Sequence, residues 1–250
     1  MMKNRNYYFL LLVMVAILSS CNAYKNIPYF QDVNRTANTQ EMVNNYAPLT
    51  ISPSDVIGIN VTSRTPENSA IFNYSAKDLQ STITGYTVDQ NGNLQLPLIG
   101  TLQVGGQTTA QLQDKVSAAL LTFFKDPVVN IRIINFKVAV YGDVQRPDVY
   151  HIKDERITIT QALTLAGDLN ITAKRKTVTL IREENGKRNF IPIDLTSKKI
   201  FQSPYYYLKS NDELYVQPDR SKFATIDRGR TASLVLSALS VAAIVFSVIY

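Results

Sequence analysis

Residues that could act as catalysts are few in this chain. Two pairs of adjacent carboxylates occur, Asp154-Glu155 and Glu183-Glu184. General acid–base catalysis needs two such groups that face one substrate, whereas adjacent residues on a strand or helix point apart. The only histidine, His151, and the only cysteine, Cys21, cannot supply a set of metal ligands. The sequence therefore predicts no catalytic residue, no metal site and no cofactor.

Cys21 has a distinctive position. It is preceded, in order, by a basic start, an apolar run and the small residues Ser19-Ser20. That order is typical of a secretory signal peptide. A cysteine at the cleavage point resembles a bacterial lipobox, in which the cysteine is acylated and becomes the mature N-terminus. We expect a lipoprotein signal peptide over residues 1–20 and lipidation of Cys21; the alternative is an ordinary signal peptide.

The last twenty residues, 231–250, contain no charge, proline or glycine. A helix of this length spans about 30 Å, the thickness of a bilayer's hydrocarbon core, so we expect a transmembrane helix. Two interpretations of its serines are open. Either the helix is a single anchor that tolerates serine, or copies assemble and turn their serines toward a water-filled lumen. The serines lie along one helical seam and are Ser233, Ser237, Ser240 and Ser247.

Basic residues form the remaining candidate site. Lys174, Arg175 and Lys176 are consecutive, in a half of the chain that carries several further cations. The chain has 26 Lys and Arg against 20 Asp and Glu, an excess too small and too dispersed to indicate nucleic acid. The cluster is either a solvated face or a surface that steers an acidic polymer. Tyr205–Tyr207 could stack on sugar rings or serve as core or subunit contacts.

The elements that would position these residues begin after a polar stretch, 21–45, which is predicted to be an extended linker. Thr50–Val61 predicts a half-buried strand entered through a turn at Pro53-Ser54-Asp55. Tyr86–Val88 and Leu94–Leu96 flank a turn cluster that contains Asn-Gly, which predicts a hairpin.

Two helices are predicted from capping boxes. One is formed by Thr108 and Gln111 and the other by Thr158 and Gln161, with Gly167 as a left-handed C-cap. The first helix is expected to end at Asp126-Pro127. Further strands are predicted at 128–134, 136–141, 177–181, 190–193, 205–208 and 214–216.

These elements predict a β-dominated α+β protein with two small tandem domains. The predicted divisions are a signal peptide at 1–20, a linker at 21–45, domains at 46–134 and 135–218, a linker at 219–230 and a transmembrane helix at 231–250.

Several segments together resemble the outer-membrane polysaccharide export family. Ile51–Ile57 resembles its opening turn, with Ser54 in place of glycine, and Tyr86–Gly100 resembles its central hairpin. Val140–Tyr150 resembles a soluble-ligand-binding β-grasp (SLBB) module, with Asp148 and Asp168 where glycine is common, which predicts turns of different shape. The segments that extend the match are Ala162-Leu163, Ala166-Gly167, Asp126–Val128, Asn211–Pro218 and Ile27–Asp32, the last resembling Bacteroidetes members.

The resemblance implies a ring-shaped homo-oligomer of a lipoprotein, whose C-terminal helices form a barrel through the outer membrane. Capsular or exopolysaccharide would pass through it, delivered by an inner-membrane copolymerase, with most of the chain in the periplasm. Asn22 favours the outer membrane by resemblance to the enterobacterial sorting rule. The expected partners are thus the chain itself, the copolymerase, the polysaccharide and membrane lipid. The alternative is a periplasmic scaffold or sugar-binding lipoprotein whose C-terminal helix is only an anchor; a sugar-modifying enzyme is disfavoured.

Overall fold

The computed structural model describes residues 27–46, 48–64, 72, 85–184 and 186–223, and the single positions 233, 234, 237, 240 and 241. The elements whose bounds it describes are ten strands, two α-helices and two short 3-10 helices. The strands and helices enclose two hydrophobic cores, one built from residues 51–131 and the other from residues 136–216. The prediction of a β-dominated α+β fold is confirmed.

The first core lies between a three-stranded sheet, a hairpin and one helix. Antiparallel pairing gives the strand order β2-β1-β5 in the sheet and joins β3 to β4 in the hairpin. Ile57, Ile59 and Val61 are buried on one face of β1, as their alternation predicts. The elements are β1 Val56–Thr62, β2 Tyr86–Thr87, β3 Asn93–Leu96, β4 Gly100–Gln103, α1 Thr109–Leu120 and β5 Val128–Ile133.

The predicted hairpin between residues 86–88 and 94–96 is wrong in its pairing. β2 pairs with β1, and β3 pairs with β4 across the turn at Pro97–Ile99. The Asp89 carboxylate accepts the backbone N–H groups of Asn91 and Asn93, both at 2.8 Å. These bonds close the turn between β2 and β3 through a side chain. The turn therefore forms without β2 and β3 pairing with each other.

Both capping boxes are present as predicted. The Thr108 N–H donates to the Gln111 side chain at 2.9 Å, and the Thr158 N–H donates to Gln161 at the same distance. α1 ends at Leu120, earlier than predicted. Gly167 has a φ of 75° after the second helix, which confirms the predicted left-handed C-cap.

The second core packs a helix against a five-stranded sheet of order β7-β6-β10-β8-β9. β10 runs parallel to β6, and the other neighbours are antiparallel. The elements are β6 Lys137–Gly142, β7 Asp148–His151, α2 Ile159–Leu165, a 3-10 helix Arg175–Thr177, β8 Val178–Glu184, β9 Lys187–Ile193, a 3-10 helix Lys198–Gln202 and β10 Glu213–Val216.

Two local predictions for this domain are wrong. The 205–208 segment is not a strand, since only Tyr207 forms a bridge, to Thr158. The turn at Asp168 keeps the left-handed conformation expected of glycine, with a φ of 71°. The Asp168 carboxylate accepts the N–H of Leu169 at 2.7 Å, a local bond that lets aspartate occupy this region.

Several predicted segments lie outside the described residues. These include the signal peptide, Cys21, Ser247 and most of the predicted transmembrane helix. The described positions in that helix, namely Ser233, Leu234, Ser237, Ser240 and Val241, are helical and exposed. Across the residues that the structure describes, no helix combines the length and apolar character needed to span a membrane.

Gly142, at the end of β6, allows a test of the β6–β10 pairing. A Cβ at this position would lie 2.1 Å from the Val216 carbonyl oxygen. We expect Gly142→Ala to lower the free energy of unfolding by about 3 kcal/mol or more, because positive-φ strain adds to a clash with backbone. Gly186→Ala is the control, with positive φ but open space, and should cost only about 1 kcal/mol. Denaturant melts that give equal losses for the two variants would contradict the close approach.

Candidate functional site

The second domain has two ends, which the parallel strands β6 and β10 define. Both strands start beside the first domain, where the Asn135 side chain accepts the Val56 N–H at 2.8 Å and donates to the Ser54 carbonyl at 3.0 Å. Both strands end on the opposite side, which we call the distal end. It comprises Asp143, the 168–175 loop and residues 217–222.

Asp143 holds the distal end together. Its carboxylate is fully buried and accepts hydrogen bonds from Asn170 Nδ2 at 2.9 Å, Thr172 Oγ1 at 2.6 Å and Lys222 Nζ at 2.7 Å. Burial by itself would raise the pKa of Asp143. The bonds from Lys222, Thr172 and Asn170 outweigh burial and lower the pKa below its ordinary value.

The chain leaves the second domain along the 168–175 loop. Ala173 forms a bridge with Pro218, and the Asp219 N–H donates to the Thr172 carbonyl at 2.7 Å. The Lys174 N–H donates to the Gln217 carbonyl at 2.9 Å. The segment that precedes the predicted transmembrane helix is therefore fixed to this loop.

The N-terminal segment, residues 27–46, reaches the same loop. The Tyr29 hydroxyl donates to the Asp168 carboxylate. Burial and this hydrogen bond raise the pKa of Tyr29. Next along the segment, the N–H groups of Phe30 and Gln31 donate to Leu195 O at 3.2 Å and Thr196 O at 2.6 Å. The predicted extended linker contains turns and bends over residues 27–37, and at Tyr29–Gln31 it is bound to the second domain. This correction has a simple cause: its aromatic and amide groups find partners there.

The segment continues from the distal end toward the first domain. The Asp32 carboxylate accepts the Ser197 hydroxyl at 2.7 Å and the Lys198 N–H at 2.6 Å. The Asn45 side-chain amide donates to the carbonyls of Phe201 and Ser203 at 2.8 and 2.7 Å. The segment thus runs along one side of the second domain.

Arg175 does not serve as a surface cation, which corrects the prediction for this member of the Lys174-Arg175-Lys176 cluster. Its side chain is buried, and its guanidinium donates to three carbonyls of its own loop, those of Ala173, Asn170 and Leu169. The guanidinium carbon lies 5.8 Å from the Tyr29 ring centre. Arg175 therefore shapes the loop. Lys174 is half-buried and Lys176 exposed, and for these two a steering role stays a prediction.

The Glu183-Glu184 pair and the tyrosines have structural partners. Glu183 pairs with Arg188, and Glu184 accepts Lys209 Nζ at 2.7 Å. Tyr205–Tyr207 are half-buried: Tyr206 packs on Phe201 with ring centres 5.4 Å apart, and Tyr207 contacts Tyr46 at 5.9 Å. These contacts favour the interpretation of the tyrosines as packing residues.

Arg182, one of the further cations in this half of the chain, is also buried. It forms a buried two-point ion pair with Asp212, with Nε–Oδ1 and Nη2–Oδ2 distances of 2.9 and 2.6 Å. Such a pair is costly to break, because one charge would be left buried without its partner. Arg182 fixes the loop before β10, which borders the groove between the domains.

That interdomain groove has a volume of about 690 Å³. Its walls carry amides and carboxylates, groups that hydrogen-bond to hydroxyl-rich ligands. Asp55 is buried at its base, and burial raises the pKa of this carboxyl group. Among the described residues no cluster of His, Cys, Asp and Glu is arranged to hold a metal. Representative lining residues are Ser54, Gln90, Asn91, Gln103, Asn211 and Glu213.

Known families match both domains. Residues 43–134 match the family described as polysaccharide biosynthesis/export protein, and residues 136–216 match the SLBB domain. The chain therefore carries a polysaccharide biosynthesis/export domain followed by an SLBB domain.

Curated relatives match part of the chain. EPS I polysaccharide export outer membrane protein EpsA of Ralstonia solanacearum is 32% identical over 93 residues, which cover 36% of this chain and 25% of that protein. Exopolysaccharide production protein ExoF of Rhizobium meliloti is 26% identical over 118 residues, covering 46% of this chain and 25% of its own length. The matched region therefore spans about a quarter of these relatives.

The lowered pKa of Asp143 predicts a pH dependence of stability. Because the pKa is lower in the folded state, the ionised carboxylate stabilises the fold at pH values above the ordinary pKa of 3.8. This contribution is lost as the pH falls through the pKa of the folded state. We expect Asp143→Asn to lose about 1–3 kcal/mol at neutral pH, and the difference from the parent chain to shrink in acid.

Asp114→Asn, on the exposed face of α1, is the matched control and should change stability by less than about 0.5 kcal/mol. Urea melts across the acid range give both values. A deficit in Asp143→Asn that stays constant from neutral pH to acid would contradict the assigned ionisation.

Proposed function

We propose that this chain is a subunit of an outer-membrane exporter that moves capsular or exopolysaccharide from the periplasm to the cell surface. The observation that carries the proposal is the polysaccharide export domain followed directly by an SLBB domain. The name of the Ralstonia relative, a polysaccharide export outer membrane protein, supports the same function. The family is one of export proteins, and we assign the chain no catalytic step.

The proposed exporter is a ring of identical chains. Lipid on Cys21 and the helix at 231–250 hold each chain in the outer membrane, with both domains in the periplasm. An inner-membrane copolymerase delivers the polymer to the ring. The organisation of the second domain supports this arrangement, because the segments that follow Cys21 and precede the helix both bind the distal end.

The proposed lumen is lined by Ser233, Ser237, Ser240 and Ser247. One observation supports a second candidate function, in which the chain is a scaffold and its helix is only an anchor. Ser237 Oγ donates to the Leu234 carbonyl at 2.9 Å, and Ser240 Oγ donates to the Ser237 carbonyl at 2.9 Å. Hydrogen bonds to the helix backbone are what allow serine to face lipid. In that case the periplasmic domains alone would bind polymer or partners.

Deletion of the gene tests the export function. We expect the deletion strain to lose surface polysaccharide and to retain polymer in the periplasm, because the proposed exporter is the route by which the polymer crosses the outer membrane. The full chain should restore export. Cys21→Ser should fail to restore it, and so should a chain that ends at Gly229.

The matched control is Ser19→Ala, a conservative change beside the lipidation position, which should restore export fully. The native mass of the detergent-extracted chain, measured in the same strains, reports ring formation. Normal surface polysaccharide in the deletion strain would contradict the proposal. Export restored by the chain ending at Gly229 would favour the scaffold.

A further inference from the structure

The distal end binds both segments that lead toward the proposed membrane attachments. Tyr29 contacts Asp168, and Asp219 contacts Thr172, so the two segments meet on the 168–175 loop. Cys21 lies eight residues before Tyr29, and Thr231 lies nine residues after Lys222. Since an extended residue spans at most about 3.5 Å, each attachment lies within roughly 30 Å of the loop.

The loop is held rigid from inside. Arg175 bonds to three of its carbonyls, and Asp143 bonds to Asn170 and Thr172. A loop with these internal bonds needs no outside partner to keep its shape. Even so, it exposes an apolar side chain at its turn: Ile171 is 67% exposed.

Further groups at the distal end have the chemistry of a membrane interface. Phe223, on the segment that leads toward the predicted membrane helix, is 59% exposed. The cations Lys174, Lys176 and Arg220 are on or next to the same end of the domain. The exposed or half-buried acids there are Asp219 and Asp168, and Asp168 accepts the Tyr29 hydroxyl. Apolar tips with cations around them suit a phospholipid surface, where the apolar group enters the interface and the cations meet phosphates.

We propose that the distal end lies on the periplasmic phospholipid surface of the outer membrane, with Ile171 inserted at the level of the headgroups. This inference rests on the proposed attachment through Cys21 and the C-terminal helix.

Tryptophan fluorescence can test the contact directly, because the chain contains no tryptophan. Ile171→Trp places a single reporter on the exposed loop. Phe123→Trp places the matched control in the first domain, at a position that is also exposed. Each full-length, lipidated variant is reconstituted into vesicles of phosphatidylethanolamine and phosphatidylglycerol, with or without a spin label near the headgroup. Flotation of the vesicles measures attachment separately.

We expect both variants to float with the vesicles. The spin label should reduce the emission of Ile171→Trp about twofold, as for an interfacial tryptophan, and leave Phe123→Trp unchanged. Floating protein with no quenching of Ile171→Trp, or with equal quenching of both variants, would overturn the loop contact and leave the attachment intact. Protein that does not float would contradict the proposed attachment and the loop contact together.

Discussion

The buried carboxylate of Asp143 is the constraint on which the distal end depends. An ionised carboxylate is taken out of water only at a cost of several kcal/mol, unless charged and polar partners compensate. Here the partners of Asp143, at the end of β6, come from two other parts of the chain: Asn170 and Thr172 on the 168–175 loop and Lys222 on the segment after β10. Satisfying one charge therefore fixes the loop and the exit of the chain in one arrangement.

The loop in turn determines how the rest of the molecule is arranged. Its Asp168 binds Tyr29, so the N-terminal segment starts at the same place where the C-terminal segment leaves. From there the N-terminal segment runs toward the first domain, which lies at the other end of the parallel strands β6 and β10. A chain attached to a membrane through both segments would present one end to the lipid and the interdomain groove to the periplasm.

Sequence reasoning succeeded where the cause is local. The alternation of Ile57, Ile59 and Val61, the capping boxes at Thr108 and Thr158, and the C-cap at Gly167 depend on neighbours within a few residues. It failed where partners are distant: Tyr29 and Asp168 are 139 residues apart. Composition likewise could not separate buried Arg175 from its lysine neighbours, because its burial depends on carbonyls that only the folded loop brings together.

In the proposed exporter, the C-terminal helices of an assembled ring surround a water-filled path. Single cysteines in the full-length protein, assembled in the outer membrane, test it most directly through a membrane-impermeant thiol reagent. We expect Ser240→Cys and Ser247→Cys to react, and Leu239→Cys and Phe246→Cys, on the opposite face of the predicted helix, not to react. Equal labelling of the two sets, or labelling of neither, would contradict a lumen and leave the helix as an anchor.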